Sequence, residues 1–200
     1  NNTAISYDGV TLSNAQSGQV DIGRFNLENI QMITLSIGPS DNIFQTARMY
    51  ASAGSLNITT AKPFFDESSA HVGVSMGIGS FATYNPSIIY QQRISSRWSV
   101  ALNADYLSTR GDYPFILKNG NEITKEKRFN SDVSTIRAEA NIYGNLGEGG
   151  ELTFKANYLY SERGLPGSVV LYNDDAKERL WDESAFVQAS YKISPHRKWD

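Results

Sequence analysis

At 200 residues the chain is long enough for one domain or for a piece of a larger protein. Its 20% charged and 40% hydrophobic residues argue against disorder, and its net charge of −3 argues against a nucleic-acid binder built on a basic surface. It has no cysteine, which excludes disulfides, Cys-based zinc sites, iron–sulfur clusters and Cys nucleophiles. The two histidines, His71 and His196, cannot form a His-rich metal site by themselves. No apolar run approaches ~18 residues, so no transmembrane helix is expected. A transmembrane β-barrel escapes that test, because its lipid-facing residues only alternate. The opening Asn1-Asn2 is neither an initiator methionine nor the start of a charged-then-apolar signal segment, and a piece of something longer is expected.

Residues 1–62 show short strand-like pieces at 5–7, 30–37 and 55–59 and an Asp8-Gly9 turn signal. Asp21, Arg24, Glu28 and Arg48 are scattered among apolar residues there. The expectation is a compact globular piece that packs against polar walls, on the polar face of the sheet that follows.

From residue 70 the period becomes two, as in strands with one apolar face. Residues 70–78 set Ala70, Val72, Val74, Met76 and Ile78 against His71, Gly73, Ser75 and Gly77. Residues 84–94 alternate more weakly, with Tyr84, Ile88, Tyr90 and Ile94 on one side. Residues 98–108 place Trp98, Val100, Leu102, Ala104 and Tyr106 against Ser99, Ala101, Asn103 and Asp105. The pattern returns over 134–146 (Ile136, Ala138, Ala140, Ile142, Leu146), 152–160 (Leu152, Phe154, Ala156, Tyr158, Tyr160) and 185–193 (Ala185, Val187, Ala189, Tyr191, Ile193).

These six strands also suit a soluble antiparallel sandwich. Three details favour a membrane barrel. The polar face carries Arg93, Asp105, Arg137, Glu139, Lys155 and Lys192, some of them in mid-strand. The apolar face mixes Ala with Tyr and Trp, as a lipid-facing band with aromatic ends does. Connections at 95–97, 147–151 and near 194 are short, whereas those around 110–130 and 163–182 are long, the asymmetry of outer-membrane barrels. Six strands cannot close a barrel whose minimum is about eight, so the rest must come from elsewhere in the protein.

Parity constrains the long connection after residue 108. Asn119-Gly120 is a hairpin-turn signal between two apolar runs, and residues 98–146 are expected to form one tall hairpin. Even-numbered residues face the same side on both arms, so directly opposed numbers must sum to an even total. A three-residue turn 119–121, or a two-residue Asn119-Gly120 turn corrected by one bulge, satisfies this. The three-residue form sets Trp98 opposite Ile142 and Leu102 opposite Ala138.

Specific residues bring a family resemblance. Tyr7-Asp8-Gly9-Val10, then Ile30-Gln31-Met32-Ile33 leading to Ile37-Gly38-Pro39, then Ala53-Gly54-Ser55-Leu56-Asn57-Ile58-Thr59-Thr60 resemble the end of the plug of TonB-dependent outer-membrane receptors and transporters. Ser55 stands where that pattern has a second glycine. The stretches 79–86, Gly111-Asp112-Tyr113-Pro114-Phe115, Arg163-Gly164-Leu165-Pro166-Gly167 and Glu178-Arg179-Leu180-Trp181-Asp182 resemble barrel segments of its Bacteroidetes-like members. The resemblance implies an all-β fold: residues 1–62 as the C-terminal part of a plug, and 63–200 as the first strands, about six, of a 22-stranded transmembrane antiparallel barrel. It implies a bacterial outer-membrane location and active uptake of a scarce nutrient, with a metal chelate such as a siderophore or cobalamin favoured. The implied partners are the TonB energy-coupling protein, acting through a segment not present here, outer-membrane lipid, a small-molecule substrate and a candidate surface lipoprotein. No nucleic acid, cofactor or catalysis is implied. The alternative is a secreted or surface β-protein, an adhesin or carbohydrate-binding module, without transport.

Loops on rigid scaffolds carry recognition. Arg110, Asp112, Tyr113 and Phe115 at one long loop, and Arg163, Tyr172, Arg179 and Trp181 at the other, are therefore the substrate-binding candidates. Two other motifs point elsewhere. Gly73-Val74-Ser75-Met76-Gly77 matches the G-x-S-x-G nucleophile elbow, but that motif needs a strand, a sharp turn and a helix, and Ser75 lies inside an alternating strand. Asp174, Asp175, Glu178, Asp182 and Glu183 could offer oxygens to Ca²⁺, but their spacing is not that of an EF-hand, and a solvated acidic loop is expected.

Overall fold

The computed structural model describes residues 3–13, 20, 22–38, 46–65, 69–147, 149–169 and 175–193. The chain divides into two compact units, Asn1–Phe64 and Phe65–Asp200.

In the first unit β1 (Thr3–Tyr7) turns back into β2 (Val10–Leu12) through Asp8-Gly9. Both turn residues have positive φ, 47° and 83°, which a two-residue type I′ turn requires and which Asp and Gly tolerate. β3 (Ile30–Ile37) and β4 (Gly54–Thr60) complete a four-stranded sheet in the order β2-β1-β4-β3, with β1 and β4 parallel. Two single-turn 3-10 helices precede β3, and a four-residue helix, α1 (Ala47–Tyr50), is capped by Thr46. The core holds Ala4, Tyr7, Phe25, Met49 and Ile58, with Tyr7 stacked on Phe25 at 4.4 Å.

Two of the motifs noted in the sequence meet here. The Thr60 amide and hydroxyl donate to the two carboxylate oxygens of Asp8 at 2.8 and 2.7 Å, and the Asp8 amide donates to the Ile58 carbonyl. Gly54 stands in a crowded place, where a Cβ would come within 3.2 Å of the Ser36 carbonyl oxygen on β3 and the strand would have to give by a few tenths of an ångström.

The second unit carries all six expected strands. β5 (Ala70–Gly79), β6 (Thr83–Arg93) and β7 (Trp98–Thr109) are followed by a separate hairpin, β8 (Pro114–Asn119) with β9 (Glu122–Lys127). Then come β10 (Val133–Gly147), β11 (Gly150–Gly164) and β12 (Arg179–Ile193). β5, β6, β7, β10, β11 and β12 form one antiparallel sheet in which every neighbour is the next main strand along the chain. This register gathers residues 80–82, 110–132, 165–169 and 175–178 at one end of the sheet and 94–97 and 149 at the other. Both long connections thus share an end, and the three-residue turn 80–82 joins them there.

The polarity of the sheet is inverted relative to a water-soluble protein. On the apolar face Val72, Val74, Leu102, Ile136, Ile142, Phe154 and Tyr158 are exposed, with Val74 at 75%, and Val100 is half-buried. On the polar face Asn103, Asp105, Thr135, Glu139, Asn141, Lys155 and Asn157 are buried. A soluble sandwich would bury the first set in its core. The buried charges are paired, as burial demands. Arg137 donates to Asp105 at 2.6 Å across β7 and β10, and Lys155 donates to Glu139 at 2.9 Å. Asn141 also donates to Glu139.

The apolar band has a measurable height. Leu152 to Tyr160 span eight steps of ~3.3 Å, or about 20 Å of height at a tilt of ~40°. That approaches the ~25 Å band of outer-membrane barrels. At its upper end the same face turns charged, with Glu183 of β12 level with Tyr160 and Glu162 of β11 and Arg179 of β12 above it. Tyr160 and Trp181 stand at that upper boundary, and Trp98 and Tyr191 mark the lower one. The Trp98 ring occupies the space over Gly144, where a Cβ would stand 2.7 Å from it.

The tall hairpin differs from expectation in two ways. Its turn is Gly120-Asn121, with Asn119 paired to Glu122 and only Gly120 at positive φ, the arrangement of a type II′ turn. The ladder is also interrupted. The odd register of β8–β9 persists to the Arg128 amide on the Tyr113 carbonyl, while Thr109 pairs with Val133 in an even register. Three residues (110–112) separate those rows on the rising arm and four (129–132) on the return, and this extra residue restores parity. Even residues therefore share a face as expected, but Trp98 opposes Gly144 rather than Ile142, and Leu102 opposes Ala140 rather than Ala138.

Two outcomes follow from these contacts. Asp8→Ala removes both acceptors of Thr60 and is expected to cost about 1–3 kcal/mol, whereas Asp8→Asn keeps one acceptor and loses less; hydrogen exchange at the Thr60 amide reads the difference. Lys155→Met strands a buried carboxylate and is expected to cost about 3–5 kcal/mol, with much of that recovered in the Glu139→Gln/Lys155→Met double variant. Equilibrium unfolding of the full-length protein measures it, and strictly additive losses would contradict the pairing.

Candidate functional site

The long-loop end of the sheet collects most of the candidate binding residues. Around the first loop, the ring of Tyr113 meets Phe81 edge-on at 6.2 Å and Phe115 at 6.5 Å. Phe81 belongs to the turn 80–82, where it and Ala82 both adopt positive φ, 59° and 53°. That conformation is uncommon for a bulky side chain and costs on the order of 1 kcal/mol or more. It is held by the Phe81 carbonyl, which accepts from the Arg110 amide and the Thr109 hydroxyl. The cluster is therefore a strained aromatic presentation at a strand end. Tyr113 is exposed, Phe115 half-buried, and Arg110 exposed beside them in sequence. Asp112 lies 3.8 Å from Lys127 in a solvent-exposed pair. Phe81 was not among the sequence candidates. Its signal was an aromatic residue in a three-residue connection between two alternating segments.

The second group is dispersed by strand alternation. Arg163 lies on the polar face and donates to Asp182 at 2.8 Å. Trp181 lies on the opposite, apolar face, directly across from Glu162, and is 59% exposed. Arg179 is engaged structurally: it donates to Asp132 at 2.7 Å and to Glu162 at 2.7 Å. Tyr172 lies outside the described residues.

Those contacts join the two long loops. Besides the Arg179–Asp132 pair, the Asn130 amide donates to the carbonyls of Leu165 and Glu178, and Arg128 donates to the Gly167 carbonyl. Asn130 itself has φ 49°. Glycines allow the close approach. A Cβ on Gly111 would stand 2.2 Å from the Ser131 carbonyl oxygen, and one on Gly164 would stand 2.4 Å from that of Asn130. Both glycines lie in segments singled out in the sequence: Gly111 lets the two arms of the 110–132 connection close on each other, and Gly164 lets that connection dock against the end of β11.

The other two motifs resolve into structure. Ser75 sits in the middle of β5 with its hydroxyl 2.7 Å from that of Ser87, and no turn or helix follows it as a nucleophile elbow needs. His196 lies outside the described residues. In the acidic group, Asp182 and Glu183 point to opposite faces of β12; Asp182 is paired with Arg163, and Glu183 accepts from the Tyr158 hydroxyl. Asp174 lies outside the described residues. A shallow groove of about 590 Å³ lies on the apolar face, over Ala104, Ala138, Ala140, Ala156 and Ala185, away from the aromatic cluster.

Hydrogen bonding from Arg179 holds the Asp132 carboxyl below its ordinary value. A depressed carboxyl stabilises the fold above its unfolded pKa of about 3.9, and that contribution is lost as the pH falls through the lower folded value. Asp132 is 42% exposed, so the pair is worth less than about 1 kcal/mol. Asp132→Asn is expected to speed proteolysis within 110–132 at neutral pH, with the difference from the parent starting to shrink below about pH 4 and vanishing only once the pH has fallen through the lowered folded value.

No protein family and no curated protein matches the sequence. Among solved structures the chain is similar in fold to the copper transporter OprC, with a TM-score of 0.63 and 15% sequence identity. The likeness covers 84% of this chain and 24% of OprC, so the chain spans about a quarter of that transporter's length. The fold is all-β, an antiparallel sheet of partial-barrel type that is shared with part of that protein.

Proposed function

We propose that the chain is part of an outer-membrane active transporter that takes up a scarce nutrient with TonB-coupled energy. The observation that carries this reading is the inverted polarity of the six-stranded sheet, apolar face bare and charged face shielded, with both long connections at one end. The fold likeness to the copper transporter OprC supports it. So does the resemblance of the Asp8-Gly9-Val10 and Gly54–Thr60 segments to the end of a plug. On this reading residues 1–62 are plug and 63–200 barrel wall, with the rest of a 22-stranded barrel supplied by other parts of the protein. The partners are TonB, outer-membrane lipid, a small-molecule substrate and a surface lipoprotein. The favoured substrate class, a metal chelate such as a siderophore or cobalamin, rests on the resemblance.

Within that function the residues take distinct roles. Arg110, Asp112, Tyr113 and Phe115, joined by Phe81, form the substrate-facing patch, where aromatic faces supply apolar contact and the charged pair orients. Arg163 is a second contact on the polar face. Arg179 ties the loops together, and Trp181 anchors the wall at the lipid–water boundary. No covalent step is required of any of them.

Full-length protein in detergent tests this by equilibrium binding of ferric siderophores and cobalamin. Tyr113→Ala and Phe81→Ala are expected to weaken binding of the accepted ligand about tenfold or more each, and Trp181→Ala to leave it unchanged. A protein that stays monomeric and folded without detergent would contradict the reading.

A further inference from the structure

The β8–β9 hairpin sorts its charges by face. The pairs Pro114–Lys127, Ile116–Lys125 and Lys118–Ile123 share one face, and Phe115–Glu126, Leu117–Thr124 and Asn119–Glu122 share the other. The first face thus carries three lysines and no carboxylate, while both hairpin glutamates lie on the second. The hairpin is nearly neutral in sum but strongly polarised. Every residue of the lysine face is exposed, with Ile116 at 61% and Ile123 at 64%, whereas Phe115, Leu117, Thr124 and Glu126 of the other face are half-buried. Lys127 lies 3.8 Å from Asp112, and Lys118 and Lys125 form no ion pair among the described residues.

We propose that this face docks onto the anionic lipid headgroup layer of the membrane in which the sheet stands. Charge complementarity carries the argument: a patch of one sign recognises a surface of the other. The interleaved Ile116, Ile123 and Pro114 select a lipid surface over a soluble polyanion. A dissolved polyanion gains nothing from bare isoleucines, whereas at a headgroup layer lysine ammoniums meet phosphates while apolar side chains enter the acyl boundary. The location agrees. The hairpin is rooted just beyond Thr109 of β7, on whose apolar face Tyr106 stands near the upper edge of the band, and its six-residue arms reach about 20 Å. Contact of this face would set how the loop carrying Tyr113 and Phe115 stands above the membrane. The inference rests on the membrane reading of the sheet.

The chain has no cysteine, so a single Ile116→Cys substitution carries a fluorophore without background. Full-length protein is reconstituted in vesicles of pure phosphatidylcholine or of phosphatidylcholine with phosphatidylglycerol, and the label is read with headgroup-attached quenchers. Quenching is expected to strengthen with phosphatidylglycerol, to weaken with salt, and to be absent for a label at Glu122→Cys on the other face. Lys118→Gln/Lys125→Gln/Lys127→Gln is expected to lower the contact constant about fivefold per lysine, or about a hundredfold in all. Failure of the protein to insert and float with vesicles overturns the membrane reading and this inference together. Insertion with quenching indifferent to phosphatidylglycerol or to the lysines overturns this inference alone. Inorganic polyphosphate shielding the label equally in pure phosphatidylcholine overturns it in favour of a soluble polyanion.

Discussion

The structure depends on a single constraint, the two-residue period of its strands. Because successive side chains alternate between faces, one sequence can give a sheet whose two sides need opposite solvents. Here Val74 and Leu102 are bare while Lys155 and Asn141 are buried. That arrangement is unfavourable in water on both counts: apolar area is left wet and charges are desolvated. It becomes favourable when hydrocarbon covers the apolar face and the buried charges of the other face are paired, as Lys155 is with Glu139 and Arg137 with Asp105. The charged limits of the band at Glu162, Arg179 and Glu183, and the aromatic residues beside them, follow from the same requirement.

At the loop end a second kind of order takes over. Loops cannot borrow hydrogen bonds from a ladder, so Asn130, Arg128 and Arg179 supply them side chain by side chain. Gly111 and Gly164 make room where two backbones come too close for any Cβ. The two long connections thereby become one block, and Phe81, on its strained turn, stands against Tyr113 of that block, which in turn meets Phe115 of β8. Rigid support under an exposed aromatic patch is what a recognition surface needs, because little ordering remains to be done when a ligand arrives.

The fold was legible wherever it depends on parity. Each of the six alternating segments became a strand of the sheet, and the Asp8-Gly9 turn formed as its residue types require. Parity could not fix the absolute register of β7 on β10. That depends on how many residues each arm spends between its two ladders, which Gly111 and the docking of residues 129–132 decide. The turn is likewise neither the three-residue 119–121 nor Asn119-Gly120 but Gly120-Asn121, since glycine serves at either central position of a two-residue turn, while the expected one-residue correction of parity is present between the ladders. The site was less legible. Arg179 reads as a free binding cation in sequence, and only three dimensions reveal Asp132 and Glu162 beside it. Trp181 and Arg163 are near in sequence register but alternation sends them to opposite faces. Phe81 lay in a segment noted only for its resemblance, and its role follows from a backbone conformation that sequence does not announce.

The central claim is that the even-numbered face of β7 meets lipid and the odd-numbered face does not. Spin labels placed singly at 100 through 105 in the full-length protein, reconstituted in bilayers, test it through collision with oxygen and with a water-soluble nickel chelate. The account predicts a two-residue oscillation, with oxygen access high at 100, 102 and 104 and low at 101, 103 and 105. Equal access to the nickel chelate at 102 and 103, or an oscillation of the opposite phase, would contradict it.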